Sequence, residues 1–221
     1  MQEVYTFARR PQAREYEELQ DPEKGFLVNA LLSHILLVYR QPPGTGGRNS
    51  IKEAFVDTIR NRRSIRKYTA QPVPQELVTR LLEAAMSAPS AGNEQPWEFI
   101  VITDREVLQA ITKVHPYSQM LKEAPLAVLV CGNLEREKYP GFWIEDCSAA
   151  TENILLEAEN IGLGGVWLGV YPHNERVKGI AELLGLPSSV VPLSLVALGY
   201  PAEKKPPAER FDPSRVHTNR W

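Results

Sequence analysis

Cysteine is scarce, at 2 among 221 residues. Cys131 and Cys147 stand apart without a metal-ligand spacing, which excludes a disulfide framework and makes a reducing, cytoplasmic compartment the expectation. Excess charge of either sign is also lacking. The 25 Lys+Arg against 27 Asp+Glu leave a formal net charge of -2, so no global positive field draws in nucleic acid or an anionic membrane. Any anion site must be local. Long apolar runs are missing too: Phe26 to Tyr39 (FLVNALLSHILLVY) contains Asn29, Ser33 and His34 and falls short of the ~20 residues a span needs. That stretch reads as a buried or interface helix, and it lies too far in for a signal peptide. No Gly-x-Gly-x-x-Gly turn follows the early strands, no Walker-type Gly-Lys-Ser/Thr occurs, and no internal repeat is visible. Nucleotide sites of those two kinds therefore have no support. What is present is an ordinary globular composition, 43% hydrophobic and 24% charged, which predicts a packed core and excludes collagen-like, coiled-coil and wholly disordered chains.

The clearest boundary is Gln41 to Ser50 (QPPGTGGRNS), where prolines and glycines interrupt any helical or strand period. It divides an extension, residues 1–50, from a domain spanning 51–221. The extension has two readings. It is an arm whose Phe26 to Tyr39 helix packs on a partner, or it is translated leader, because Lys52-Glu53-Ala54 can be encoded as a ribosome-binding sequence ahead of a start at Val56. Beyond it, periodicity predicts a helix over 51–61, one from Pro74 that Pro89 stops, and one from the N-cap Asp104 through Val114. Two more follow, Glu145 to Ile161 closed by Gly162 and an N-capped Asn174 to Leu184 closed by Gly185. Strands are predicted at Trp97 to Thr103, Leu126 to Cys131, Gly165 to Val170 and Leu193 to Leu198. Interleaving alone favours a doubly wound parallel sheet. From about residue 200 the proline-rich chain reads as an extended arm.

Three segments hold residues suited to chemistry. In Arg62-Arg63-Ser64-Ile65-Arg66-Lys67-Tyr68, extended backbone would put Arg62, Ser64 and Arg66 on one side. Two guanidiniums and a hydroxyl there suit a phosphate, whereas a solvated basic helix end is the plainer reading. In Pro89-Ser90-Ala91-Gly92-Asn93-Glu94-Gln95-Pro96-Trp97, small residues let a flat ligand reach the backbone and Asn93 offers an amide; an ordinary turn with a packed tryptophan competes. In Gly162 to Gly169 (GLGGVWLG), four glycines surround a strand, as close backbone approach or tight helix packing would require.

Taken in order, RRSIRKY, APSAGNEQPWEF, the AP-LAVLV strand, DCSAATENILLEAENIGLGGVW and ALGYPAEKKPP followed by Arg210 resemble the nitroreductase family of flavin enzymes over roughly residues 54 to 221. The resemblance implies an α+β fold with a mostly antiparallel sheet flanked by helices, in an intertwined homodimer with flavin mononucleotide (FMN) at each of two interface sites. It assigns phosphate contacts to Arg62, Arg63, Ser64 and Arg66, with Arg210 and, more weakly, Lys205 as late basic partners. Pro89 and Ser90 would lie along the flavin, with Asn93 near the ring across the dimer, and Trp167, Leu168 and Gly169 would approach the isoalloxazine. The implied activity is ping-pong transfer from NADH or NADPH to a nitroaromatic, quinone or similar acceptor, with no catalytic side chain. A dehalogenase, a flavin-consuming enzyme of cofactor biosynthesis and a non-catalytic flavin-binding module are the alternatives.

Several residues fall outside those motifs. Tyr139, Phe142 and Trp143 either line a pocket rim or pack. Asp146 is expected as an N-cap, His115 and His173 as surface residues, and Cys131 and Cys147 as buried, inert thiols.

Overall fold

The computed structural model describes residues 58–221. The linker at 41–50, the Phe26 to Tyr39 helix and most of the first predicted helix lie outside the described residues; Thr58 to Asn61 are helical.

Pro74, whose missing N–H and fixed φ suit a helix start, precedes α1 (Gln75–Met86). Strand β1 (Trp97–Ile102) leads into α2 (Arg105–Val114), where Asp104 accepts hydrogen bonds from the N–H groups of Glu106 and Val107 at 2.8 and 3.1 Å. Then come β2 (Leu126–Asn133), the long α3 (Trp143–Asn160), β3 (Gly164–Gly169), α4 (Asn174–Leu184) and β4 (Val190–Gly199). Gly185 ends α4 at φ +65°, a conformation that glycine adopts without strain. The N-cap of α4 is His173, which makes no side-chain cap bond. β4 starts three residues earlier than the predicted Leu193, at Val190. Pro192 fits inside it because the β2–β4 ladder shifts register between Val130 and Cys131, and a bulge tolerates a residue with no N–H to donate.

The strands run β1-β2-β4-β3 and every neighbour is antiparallel. This overturns the parallel sheet suggested by interleaving and agrees with the arrangement the resemblance implies. The physical source of the confusion is burial. The runs LAVLVC and LSLVAL are apolar at almost every position because helices cover both faces of the sheet, a pattern most common in parallel sheets. On one face α1 and α3 pack on Val128, Val130, Val196 and Leu198. On the other, α2 and α4 cover Leu129, Val166, Leu195 and Ala197. Alternate residues of one strand thus feed two cores.

Helix α3 crosses the sheet with Ala150, Ile154, Leu155 and Ala158 fully or nearly buried. Among its inward residues Thr151 is polar, and it bonds the Cys147 carbonyl at 2.7 Å and the Ser194 hydroxyl of β4 at 2.9 Å.

What positions the site is the segment after residue 61. Ser64 bridges Gly165 in parallel sense, and the Ile65 N–H donates to the Gly165 carbonyl at 3.0 Å, so the segment extends the sheet beyond β3. Close approach needs Gly164, because a Cβ there would lie 2.8 Å from the Ile65 side chain. Further on, Thr69 N–H donates to Tyr200 O and Ala202 N–H to Lys67 O, each at 2.9 Å, which ties the segment to the chain leaving β4. That departing chain is exposed over most of its length and carries only a short 3-10 turn at Pro213–Arg215. Among the described residues no helix is long and apolar enough to cross a membrane.

Candidate functional site

The basic segment does not present its side chains as one cluster. Arg62 reaches α3, with Nε 3.2 Å from Glu152 Oε1. Arg63 turns the other way, donating to the carbonyls of Pro206 at 2.8 Å, of Arg62 at 2.5 Å and of Arg60. It lines a cleft of about 210 Å³ together with Glu203 and Lys205. Lys205 Nζ donates to the Ser64 carbonyl at 2.5 Å and lies 3.2 Å from Glu203 Oε1. Glu203 also accepts the Arg66 N–H at 2.6 Å. The Arg66 N–H, then Lys205, hold the Glu203 carboxyl below the usual carboxylate range.

Arg66 lines a second, larger cleft of about 510 Å³, whose wall is Trp167, Leu168 and Gly169 of β3. Two groups assigned separately in the sequence, the basic segment and the glycine-flanked strand, therefore meet through Arg66. Gly169 leaves its side of the cleft open: no atom lies within 4 Å of where its Cβ would be. A flat group can come against that backbone.

The far wall is His115, Pro116, Tyr117, Gln119 and Met120, with Arg176 from α4. Sequence reasoning missed this wall, and His115 is not the surface residue expected. It is 1% exposed, with Nε2 3.0 Å from the Gly169 carbonyl. A carbonyl only accepts, so Nε2 carries the proton and Nδ1 is bare, buried and without a partner. Burial is the main influence pushing the His115 pKa down, and the nearby Arg176 adds to it, so the ring is neutral. Arg176 donates to the same carbonyl at 2.9 Å and lies over the Tyr117 ring, 5.3 Å from its centroid. The only hint in the sequence was a histidine at the C-terminal end of a strongly amphipathic helix. His173 is exposed, as expected.

Pro89, Ser90 and Asn93 do not line either cleft. They belong to a tight loop in which Gly92, Asn93 and Gln95 have φ of +51°, +56° and +49°. A Cβ on Gly92 would run into the Tyr139 ring, so both space and backbone demand glycine. Ser90 Oγ accepts the Gln95 N–H at 3.1 Å, and Asn93 Oδ1 accepts Gln95 Nε2 at 2.8 Å.

Asp146 does not cap its own helix, which begins at Trp143. It sits in the first turn, 5% exposed, and its Oδ1 accepts the Ala91 N–H at 3.0 Å, so it fastens the loop instead. Burial raises its pKa, and the charge of Glu94 adds to the effect against the Ala91 N–H. Of the three aromatics, Trp143 packs: it is buried on Gly132, with its ring 5.0 Å from that of Tyr171. Tyr139 and Phe142 are half exposed and meet edge to face at 6.4 Å. Cys131 and Cys147 are buried, and burial pushes the Cys131 thiol to about 12 and Cys147 further up. Both are inert, as expected. Arg210 is exposed on the arm and lines neither cleft.

Residues 59–115 and 112–200 match the sequence profile of the Nitroreductase family. A protein of Methanothermobacter thermautotrophicus, provisionally named NADH dehydrogenase/NAD(P)H nitroreductase, is 51% identical over 170 residues, 77% of this chain and 89% of that protein. The FMN reductase [NAD(P)H] of Bacillus subtilis is 31% identical over 180 residues, 73% of this chain and 72% of its own length. Among solved structures, an FMN-dependent nitroreductase from Clostridium difficile R20291 superposes with a TM-score of 0.70 at 33% identity, over 75% of this chain and 99% of its own.

Proposed function

The chain belongs to the nitroreductase family, and from that premise we propose that it is an FMN-dependent oxidoreductase that uses NADH or NADPH to reduce nitroaromatic, quinone or similar small acceptors. The observation that carries this reading is the cleft joining Arg66 to the open backbone of Gly169. Its volume, about 510 Å³, lies in the range of ligand pockets of ~300–1,000 Å³. The donor set fits the cofactor: a cation at one end for an anionic group, an unobstructed strand for a flat ring, and opposite it a wall anchored by the buried His115. Bound there, FMN supplies the electron-transfer chemistry between donor and acceptor.

The protein's part is binding, orientation and shielding. We assign the phosphate to Arg62, Arg63, Ser64 and Arg66, with Lys205 and Arg210 as supporting cations. Near-neutral net charge supports this division, since attraction for the anion rests on local cations alone. Trp167, Leu168 and Gly169 hold the ring, and His115 and Arg176 fix the Gly169 carbonyl by hydrogen bonds. Pro89, Ser90 and Asn93 lie away from their own chain's cleft, which supports a homodimer in which each copy's loop completes the other's site. Two buried thiols support a cytoplasmic location. Purified protein is expected to be yellow, to bleach with NAD(P)H and to regain colour when a quinone or nitroarene is added. Colourless protein with no affinity for flavin would overturn the site and the function together.

A further inference from the structure

Glu94 and Asp146 are the two carboxyls that the proposed function leaves without a role, and both are buried, at 7% and 5% exposure. Glu94 lies in the Ala91 to Trp97 loop; its Oε2 accepts the N–H groups of Lys138 at 2.6 Å and Tyr139 at 3.1 Å. Asp146, on α3, accepts the Ala91 N–H through Oδ1. Each keeps one oxygen spare, Glu94 Oε1 and Asp146 Oδ2, buried and without a hydrogen-bond partner. The Glu94 N–H donates to the Ala91 carbonyl at 3.0 Å while the Ala91 N–H goes to Asp146, so the two carboxyls flank one short 3-10 turn.

Two ionised carboxylates side by side in a dry setting repel, and each spare oxygen lacks a donor; one proton between them removes both penalties. We propose that Glu94 and Asp146 share a single proton and that this O–H···O bond latches the Ala91 to Trp97 loop, and the Lys138–Tyr139 backbone with it, to the start of α3. The surroundings hold the proton rather than replace it. Glu145, next on α3, adds like charge to Asp146; Glu137, on the segment before α3, is taken up by the N–H groups of Gly141 and Trp143; and the Cys131 and Cys147 thiols behind are neutral. Among the described residues neither Glu94 nor Asp146 forms an ion pair, and Lys138 meets Glu94 through its backbone N–H. A carboxyl raised in the folded state is protonated there while its unfolded counterpart is ionised, so its contribution is full below the ordinary value of about 3.8 and is lost as pH rises through the raised value. The latch therefore opens as pH rises through that raised value.

The proton is seen directly by infrared difference spectroscopy of the full-length protein without added flavin. The expected result is a carbonyl stretch of a protonated carboxylic acid that persists above the ordinary carboxylate range, sensitive to deuteration, absent from both Asp146→Asn and Glu94→Gln, and fading as pH is raised further. Hydrogen exchange of the Ala91, Lys138 and Tyr139 amides should accelerate over the same range by more than about tenfold beyond the chemical trend. In Asp146→Asn, whose amide N–H replaces the proton, that acceleration should vanish. No acid band in the wild type above the ordinary carboxylate range, or exchange that follows the chemical trend alone, overturns the latch. Its consequence for flavin, weaker binding once the latch has opened, rests on the proposed function: a latch that behaves as stated in a protein that binds no flavin would sink that reading and leave the latch standing.

Discussion

Arg66 is the residue on which the proposed flavin site turns, because it alone of the basic segment lines the cleft with β3. Removing a charged hydrogen bond costs about 1.5–3 kcal/mol, so Arg66→Ala is expected to weaken FMN affinity roughly 10- to 100-fold. Arg62→Ala should cost less, since Arg62 is already engaged with Glu152; fluorescence titration of the two variants ranks them. Gly92→Ala should displace Tyr139 and loosen the loop, seen as a lower melting temperature. His115 gives a pH prediction of opposite sign to the carboxyl pair. Its folded pKa lies below the ordinary ~6.5, so the unfolded chain binds the extra proton first, and stability present at neutral pH is lost as pH falls through the folded value. His115→Gln, which keeps a donor for Gly169 without titrating in this range, should narrow its stability gap to the wild type as the solution is acidified. At this scale the sequence was a partial guide. Arg66, Leu168 and Gly169 were legible because motif order brought them together in expectation before the fold did. His115 and Asp146 were not, because a polar side chain is buried by a partner 54 or 55 residues away, and no local pattern encodes that distance.

At the scale of elements, α3 joins the core to the loop that Asp146 holds. Ile154→Ala removes a fully buried side chain between α3 and the sheet and is expected to cost about 2–5 kcal/mol in denaturant unfolding. Thr151→Val should destabilise by about 1–3 kcal/mol, because it deprives Ser194 of its buried partner. Adding Ser194→Ala should recover part of that loss, and a double-mutant cycle measures the coupling. Element identities were legible nearly throughout, from Asp104 as a cap to Gly185 as a stop. Strand direction was not. Helices on both faces erase the polar alternation that marks an antiparallel sheet, and only the motif resemblance pointed the right way.

For the whole molecule, scarce cysteine and balanced charge leave the work to geometry: Arg66 at one end of a cleft, one open strand, and a loop outside the cleft it is proposed to complete. The displaced loop argues that the working unit is a pair of chains, so flavin affinity and subunit association should rise and fall together on dilution. The most direct test of the account is anaerobic spectroscopy of the purified full-length protein reconstituted with FMN, followed by NADH or NADPH and then a quinone. The account predicts bound, yellow flavin that is bleached by the nicotinamide and restored by the quinone. Flavin that stays free in solution, or that binds and stays oxidised with both donors, would contradict it.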